Sequence, residues 1–480
     1  MTDLYKQIDA IFHPKNIAFV GIKIGDPNSI HWTRTFWEAE KTFQFKGNLY
    51  PINPCGGELD GYKVYTSLSE IPGDVDYVIG TVPARIAPEI TSQCAARGVK
   101  AIHFCTAGFA ETGEKDVTGL QEEIVRIARN AGIRVIGPNC MGIYCPESKV
   151  SFDKSYPKEA GHIGFISQSG GNTGYCVREA SWRGVRFSKV VSFGNACDLN
   201  ECDFLEYMID DPQTKVIALY LEGVRDGKRF LKLIKRGARE KTVLLLKGGY
   251  GAGGARATST HTASLAGSDA TWDTLCRQFN VIRARNLEQL VDLLVTLTYM
   301  PDPGRRNMLL LGTGGGASVL VTDEFERRGF RLPNLPAHLR EELRSFIQAA
   351  GNMLTNPADV SQNMGSIETL KRVVKLLTDW DDIDFCASFM RSSECPPEIF
   401  EEMVNGVLTL NKALDASRKP ACLICEDSVI PECHDAIYKL RQSIIQSGKA
   451  LYFRFSDAAE ALKIIVDYNE RRKKVDQAAR

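Results

Sequence analysis

The feature that most constrains this chain is an alternation of short apolar runs with amphipathic stretches of ten or more residues. In the first third the apolar runs are 16–21 (NIAFVG), 47–54 (GNLYPINP), 75–83 (VDYVIGTVP), 101–106 (AIHFCT) and 133–139 (IRVIGPN). Helical patterns stand between them, for example over 86–97 and 119–131. Such alternation predicts a parallel sheet covered by helices on both faces, since parallel neighbours need a crossover connection. In sheets of this kind ligands bind beyond the carboxyl ends of the strands. Chemistry is therefore sought in the loops after each run, at Gly21, Val82–Pro83, Gly108 and Asn139.

The pattern repeats twice. After a polar stretch over 145–161, which reads as a linker, the run 164–172 (GFISQSGGN) leads into a helical pattern over 173–183. Strand, S-x-S-G-G and helix together place free amides and hydroxyls at a helix start, a cradle for an anion. Ser167, Ser169, Gly170 and Gly171 are its expected phosphate-binding residues. Further runs follow at 188–193, 215–221 and 242–247, and Glu222 stands directly after the second of these. A third unit opens at 308–318 (MLLLGTGGGAS), where Gly314, Gly315 and Gly316 form a second expected cradle.

Between these units lies 248–267 (GGYGAGGARATSTHTASLAG), a loop of glycines, alanines and hydroxyl residues carrying His261. A segment so poor in bulky side chains builds no core, but it lets one imidazole approach an anion. Two helix-start anion sites, a histidine and a carboxylate able to orient it suit transfer of a phosphoryl group onto and off an imidazole. His261 and Glu222 are the expected catalytic pair. No G-x-x-x-x-G-K-[ST] motif occurs, and no long segment is left over for a separate nucleotide-grasping domain, so the nucleotide is expected on another chain.

Composition narrows the class. With 480 residues, 44% hydrophobic and 25% charged, the chain reads as about three globular domains. Lys+Arg and Asp+Glu both number 59, so no global field draws it to nucleic acid or an anionic membrane. The N-terminus lacks a signal-type apolar region and no apolar stretch is long enough to span a bilayer; a cytoplasmic location is expected. The 14 cysteines are scattered, and Cys422 and Cys425 fall in a strand-like run that presents them to opposite faces. Buried reduced thiols are expected and no metal site. His31, His103 and His162 have no ligand partner at metal spacing, and Phe36 and Trp37 beside Trp32 read as a helix core face.

With these residues in place, the chain resembles, over nearly its whole length, the α subunit of NDP-forming acyl-CoA synthetases (acetate–CoA ligase, ADP-forming type; succinyl-CoA synthetase superfamily). The resemblance rests on 12–21 (FHPKNIAFVG), 50–54 (YPINP), 106–113 (TAGFAETG), 137–142 (GPNCMG), 166–171 (ISQSGG), 218–223 (ALYLEG), 261–267 (HTASLAG), 314–323 (GGGASVLVTD) and 356–359 (NPAD). It implies an α/β fold with a Rossmann-like CoA-binding domain at 1–147, then two flavodoxin-like succinyl-CoA-synthetase-type domains at 158–300 and 304–480. It implies that Gly21, Val82, Pro83, Gly108 and Asn139 meet coenzyme A. His261 matches the phosphorylated histidine and Glu222 the glutamate that steadies it. Acyl-CoA and phosphate would give an acyl phosphate, whose phosphoryl group passes to His261 and then to ADP or GDP. The nucleotide and its Mg2+ would sit on an ATP-grasp β subunit in a hetero-oligomer, α2β2. Other readings are a CoA- or acyl-CoA-binding regulatory module that kept the fold, and an enzyme that phosphorolyses acyl-CoA without nucleotide.

Two stretches depart from the family pattern. The run after the first strand, Gly21 to Ile30, has few small residues and carries Asp26, and Cys55 stands where a lysine often follows Asn-Pro. Both changes weaken the expected grip on CoA phosphates, and Lys23 and Arg34 are the candidate replacements.

Overall fold

The computed structural model describes residues 2–25, 32–249, 251, 253–254, 268–312, 314–391 and 400–478. It divides into two compact units, Met1–Ser181 with Arg186–Leu287, and Trp182–Val185 with Glu288–Arg480.

The first unit holds two sheets. One comprises β1 (Asn16–Val20), β2 (Asn48–Ile52), β5 (Tyr77–Gly80), β6 (Ala101–Phe104) and β7 (Arg134–Ile136) in the order β2-β1-β5-β6-β7, all parallel. A hairpin of β3 (Gly57–Leu59) and β4 (Tyr62–Val64) interrupts it. The strands are buried on both faces, which explains why they read as continuous apolar runs. Helices α3 (Ala87–Ala96) and α4 (Lys115–Ala131) cover one face, and α4 closes at Gly132 in the left-handed conformation that a glycine adopts without strain.

The other sheet runs β13-β12-β11-β9-β10-β8, with β8 (Gly142–Tyr144), β9 (Ile163–Ser167), β10 (Phe187–Ser192), β11 (Val216–Leu221), β12 (Thr242–Lys247) and β13 (Ile282–Ala284). Only β8 is antiparallel, on β10. The chain thus enters the second sheet at Gly142, ahead of the polar stretch. That stretch is more than a linker. Phe152 and Tyr156 are buried, their rings pack on each other, Tyr156 packs on Tyr144, and the Tyr144 hydroxyl donates to the Pro157 carbonyl at 2.6 Å. Two aromatic anchors in a polar run hold a segment that average polarity assigns to solvent.

The second unit is built on the order β15-β16-β14-β17-β18-β19, with β14 (Met308–Gly312), β15 (Met353–Leu354), β16 (Ala358–Asp359), β17 (Phe385–Met390), β18 (Ala421–Cys425) and β19 (Ala450–Tyr452). Cys422 and Cys425 are both buried in β18, and the 13 cysteines among the described residues are free thiols. No described helix is long and apolar enough to cross a membrane.

Phe36 and Trp37 are core residues of α2 (Thr35–Phe43), with Trp37 edge-on to Phe19 at 5.4 Å; His31 and the Trp32 side chain lie outside the described residues. His103 is structural. Its ring is 1% exposed in β6, Nε2 lies 3.0 Å from the Cys140 carbonyl, and a Cβ at Gly142 would lie 2.6 Å from Nδ1. Burial pulls its pKa down to about 4. An unfolded imidazole protonates near 6.5, so between that pH and about 4 the unfolded chain binds a proton that the folded chain refuses. Stability therefore falls as pH is lowered through this window. In His103→Gln, the loss of unfolding free energy from pH 7 to 4.5, measured by urea titration, is expected to be smaller by about 2 kcal/mol. An unchanged slope would show that His103 does not stay neutral.

Candidate active site at the carboxyl edges

Each sheet reverses its strand order once, and the expected site residues gather at those reversals. In the first sheet β1 is followed by β2 on one side, while β5 lies on the other. The loops after β1 and β5 therefore diverge and leave a crevice between them. Gly21 and Val82–Pro83 flank it. Gly21 has φ +89°, and a Cβ there would lie 2.9 Å from Val82 Cγ1 and 3.0 Å from the Thr81 carbonyl oxygen, so glycine is required. The edge is stitched onward: Thr106 Oγ1 donates to the Val82 carbonyl at 2.6 Å, and the Asn139 amide donates to the Thr106 carbonyl at 3.0 Å. Four of the five residues expected at CoA are thus tied into one rim.

The fifth, Gly108, is already engaged. Its amide donates to Glu111 Oε1 at 2.5 Å and the Phe109 amide to the same carboxylate, which Asn195 Nδ2 holds from the second sheet at 2.5 Å. Arg34 is also committed. It is 6% exposed and lies 3.5 Å from Asp60, whose other oxygen accepts from Trp37 Nε1 and Lys41 Nζ, both at 2.8 Å. Those partners, Lys41 foremost, hold the Asp60 carboxyl below the usual carboxylate range. Lys23 is exposed beside Gly21, and its amide donates to Thr33 Oγ1. Of the two candidate replacements, Lys23 is the exposed one; Asp26 lies outside the described residues. At Gly21 the rim tolerates no side chain.

The second sheet reverses between β9 and β11. Here Ser167 pairs in register with Tyr220 on one side and Ser192 on the other, and Leu221 pairs with Lys247. The ends of four parallel strands are thus level. Ser167 Oγ donates to the Ser169 carbonyl at 2.9 Å and accepts from the Ser169 amide, fixing the turn into α5 (Gly170–Trp182). A Cβ at Gly170 would lie 2.9 Å from Met141 Cγ, whereas Gly171 opens onto empty space. The amides of a first helical turn have no intrahelical acceptor. In this turn the Asn172 amide donates to Ser169 Oγ at 3.4 Å.

Glu222 is 3% exposed directly beyond β11. Its Oε1 accepts from the Tyr220 hydroxyl at 3.2 Å. Gln168 Oε1 accepts from the amides of Glu222 and Gly223 at 2.8 and 3.1 Å, so the residue between the two serines sets the backbone carrying the carboxylate. Lys247 Nζ is buried; burial pulls its pKa down, and the Glu222 charge pulls it back up. A Cβ at Gly248 would lie 2.7 Å from the Tyr220 hydroxyl. His261 lies outside the described residues, as does most of its loop.

In the second unit the order reverses at β14, between β16 and β17. Gly314, Gly315 and Gly316 open the helix Gly315–Glu326 there. The Gly314 amide donates to Asp359 Oδ1 at 3.2 Å, and the same oxygen accepts from the Ser361 amide at 2.9 Å. A carboxylate of the chain itself therefore faces this helix start, while Gly316 is open to solvent.

Sequence reasoning did not single out Gln168, Tyr220, Lys247, Glu111 or Asp359 as parts of the site. Lys247 is the last residue of β12 and pairs with Leu221, one step before Glu222, so the rule that named Glu222 stops short of it. The others act through contacts distant in sequence and carry no local signal.

The comparisons agree with this architecture. Residues 160–297 match the succinyl-CoA ligase-like flavodoxin domain and residues 15–146 a CoA-binding domain. The chain is 32% identical to the acetate–CoA ligase [ADP-forming] II subunit alpha of Pyrococcus furiosus, over 96% of this chain and 97% of that one. It is 34% identical to acetate–CoA ligase [ADP-forming] I of Archaeoglobus fulgidus over 80% of this chain, which spans 55% of that longer protein. The solved Ca. Korarchaeum cryptofilum dinucleotide forming acetyl-coenzyme A synthetase 1, in complex with phosphate and ADP, superposes with TM-score 0.79 at 29% identity over 98% of both chains.

A CoA-binding domain joined to a succinyl-CoA-ligase-like flavodoxin domain defines a carboxylate–CoA ligase that forms a nucleoside diphosphate. The chain belongs to the α-subunit family of the ADP-forming acetate–CoA ligases, within the NDP-forming acyl-CoA synthetases. Coenzyme A, phosphate and ADP are accordingly ligands of its enzyme system.

The Gln168 clamp makes a prediction. Gln168→Leu leaves two buried amides without their acceptor, each costing about 1–3 kcal/mol. Chemical unfolding of the variant is expected to show a loss of roughly 2–6 kcal/mol, and Gln168→Glu, which retains an acceptor, a smaller one. Equal stability of Gln168→Leu and the parent would remove the clamp from the account.

Proposed function

We propose that the chain carries the acyl-transfer and phosphohistidine half of a reversible acyl-CoA synthetase, acting with an ATP-grasp β subunit in a hetero-oligomer of α2β2 type. Its domains are 1–147, 158–300 and 304–480, the first meeting CoA through Gly21, Val82, Pro83, Gly108 and Asn139. A phosphate oxygen attacks the thioester carbonyl, the C–S bond breaks, and CoA leaves as the thiol, giving acyl phosphate. A nitrogen of His261 then attacks phosphorus, the P–O bond to the acyl group breaks, and the carboxylate departs. The phosphoryl group finally passes to a terminal oxygen of ADP or GDP, with Mg2+, on the partner subunit.

One observation carries this reading: a buried carboxylate, Glu222, stands on the same strand edge as the Ser167–Ser169 turn, at the reversal of the sheet. The loop bearing His261 leaves from β12, the strand next to β11. A carboxylate there fixes one imidazole nitrogen and offsets the positive charge of the phosphorylated ring. Ser167, Ser169, Gly170 and Gly171 receive the phosphoryl oxygens at the helix start, where the aligned peptide dipoles favour negative charge. Gly314, Gly315 and Gly316 supply a second phosphate-facing helix start in the other unit. The Asp359 carboxylate already at that terminus makes it suited to phosphate accompanied by a cation.

Incubation of the full chain and its partner with acyl-CoA and labelled phosphate tests the reading. Acid-labile, base-stable label is expected on the parent, none on His261→Ala, and labelling slowed at least ~100-fold in Glu222→Gln. No label with any acyl-CoA overturns the proposal in favour of a CoA-binding regulatory module. Release of free acyl phosphate without nucleotide, with label independent of His261, overturns it in favour of simple phosphorolysis.

A further inference from the structure

We propose that His13, Cys145 and Glu147 form a binding site for one divalent cation of the zinc class, at the amino edge of the first sheet. The three residues come from distant parts of the chain. His13 is the C-cap of α1 (Asp3–Phe12), Cys145 directly follows β8, and Glu147 lies in the turn beyond it. Their donor atoms all lie within 4.8 Å of one another.

The distances match a tetrahedral centre. His13 Nε2 is 3.4 Å from Glu147 Oε2 and 4.0 Å from Cys145 Sγ. Zinc bonds of about 2.0–2.1 Å to nitrogen and oxygen and about 2.3 Å to sulfur set tetrahedral edges of about 3.3 and about 3.6 Å. The two edges from His13 need to close by only a few tenths of an ångström, and the thiol and carboxylate lie within 4.8 Å of each other. Thiolate, imidazole and carboxylate together select a borderline-soft ion over magnesium or calcium, which take oxygen.

The histidine is also held as a metal ligand is held. Its Nδ1 donates to the Asp9 carbonyl oxygen at 2.9 Å. Nε2 faces the thiol and the carboxylate and binds an ion in its deprotonated form. Tyr207 Oη donates to Asp9 Oδ1 at 2.9 Å and fixes that helix end. The opposite side is equally prepared. Ser148 Oγ lies 2.6 Å from the Phe12 carbonyl oxygen and 3.2 Å from that of Cys145, joining the two halves of the site. A pair of backbone hydrogen bonds between Cys145 and Val150 closes the loop that carries both ligands.

Cys145 is buried, whereas the Glu147 side chain is 48% exposed and borders a cleft of about 440 Å3 that admits water as a fourth ligand. Lys15, Lys46 and Lys149 line the same cleft. A thiolate and a carboxylate neutralise a divalent ion, so these ammonium groups face no net positive charge. Residues 14 and 15 lead into the first residue of β1, so the site lies on the edge opposite Gly21 and takes no part in acyl transfer. Its role is to fasten α1 to the segment that joins the two sheets of this unit.

Cobalt titration of the full chain, after chelator treatment and dialysis, tests the proposal. One equivalent is expected to give the visible bands of a tetrahedral ion and a thiolate-to-cobalt charge-transfer band, all displaced by zinc. Cys145→Ser loses the charge-transfer band and His13→Gln weakens binding at least about 100-fold; Glu147→Gln, at an exposed position that leaves folding intact, weakens it about 10-fold. Zinc raises the thermal midpoint of the parent and not of Cys145→Ser. Absence of the charge-transfer band in the parent, or its persistence in Cys145→Ser, overturns the assignment and leaves a hydrogen-bonded Cys–His–Glu cluster.

Discussion

The order in which parallel strands are laid down governs everything functional in this chain. A parallel sheet that grows first to one side and then to the other must send two successive loops in opposite directions. The gap between them is lined by backbone rather than side chains. Three sheets here make that reversal, at β1/β5, β9/β11 and β14/β17. At each reversal a glycine stands where the chain leaves the strand or enters the helix. At Gly21 the reason is steric as well as conformational, because a Cβ would meet both a side chain and a carbonyl of the neighbouring loop.

A backbone-lined gap attracts anions, and the three gaps treat that attraction differently. Carboxylates of the chain occupy amides at two of them: Glu111 at Gly108 and Phe109, and Asp359 at Gly314. At the β9/β11 gap the carboxylate, Glu222, stands beside the helix start, with its backbone fixed by Gln168 and its side chain by Tyr220. A carboxylate on the amides competes with an incoming anion; one beside them is free to orient a cationic or hydrogen-bonding group that comes with it. This difference favours the middle gap in the proposed transfer of a phosphoryl group to His261. Lys247, one strand over, is buried close by, and the nearby Glu222 carboxylate offsets part of the cost of burying its charge.

The architecture was legible because buried parallel strands are written as unbroken apolar runs, and loops beyond them as glycine and hydroxyl residues. Strands such as 216–221 and 242–247 coincide with their runs almost to the residue. Glu222 could be placed from the sequence because its position follows from one local fact, one step past a strand. Gln168 could not, since its function is to accept from amides 54 and 55 residues away. The segment after Tyr144 misled for a related reason. Its polarity is real, but two aromatic residues suffice to fix it, and their partners, Tyr144 and each other, become visible only when the chain is folded.

The same limit applies to His13, Cys145 and Glu147. Metal motifs are recognised when their ligands sit on one helix or one turn, because local geometry then forces the donors together. Here the donors meet because the turn after β8 reaches the end of α1, where the Ser148 hydroxyl donates to the Phe12 carbonyl, so tertiary packing alone creates the proximity. Such a site has no spacing to recognise, yet its consequences differ from those of an ordinary polar contact. A hydrogen-bonded cluster contributes about 1 kcal/mol per bond. A bound ion ties its ligands together with a free energy that depends on the free metal concentration. The junction between the two sheets, which holds the Gly21 crevice and the Glu222 edge in one unit, would then be as firm as the supply of metal allows.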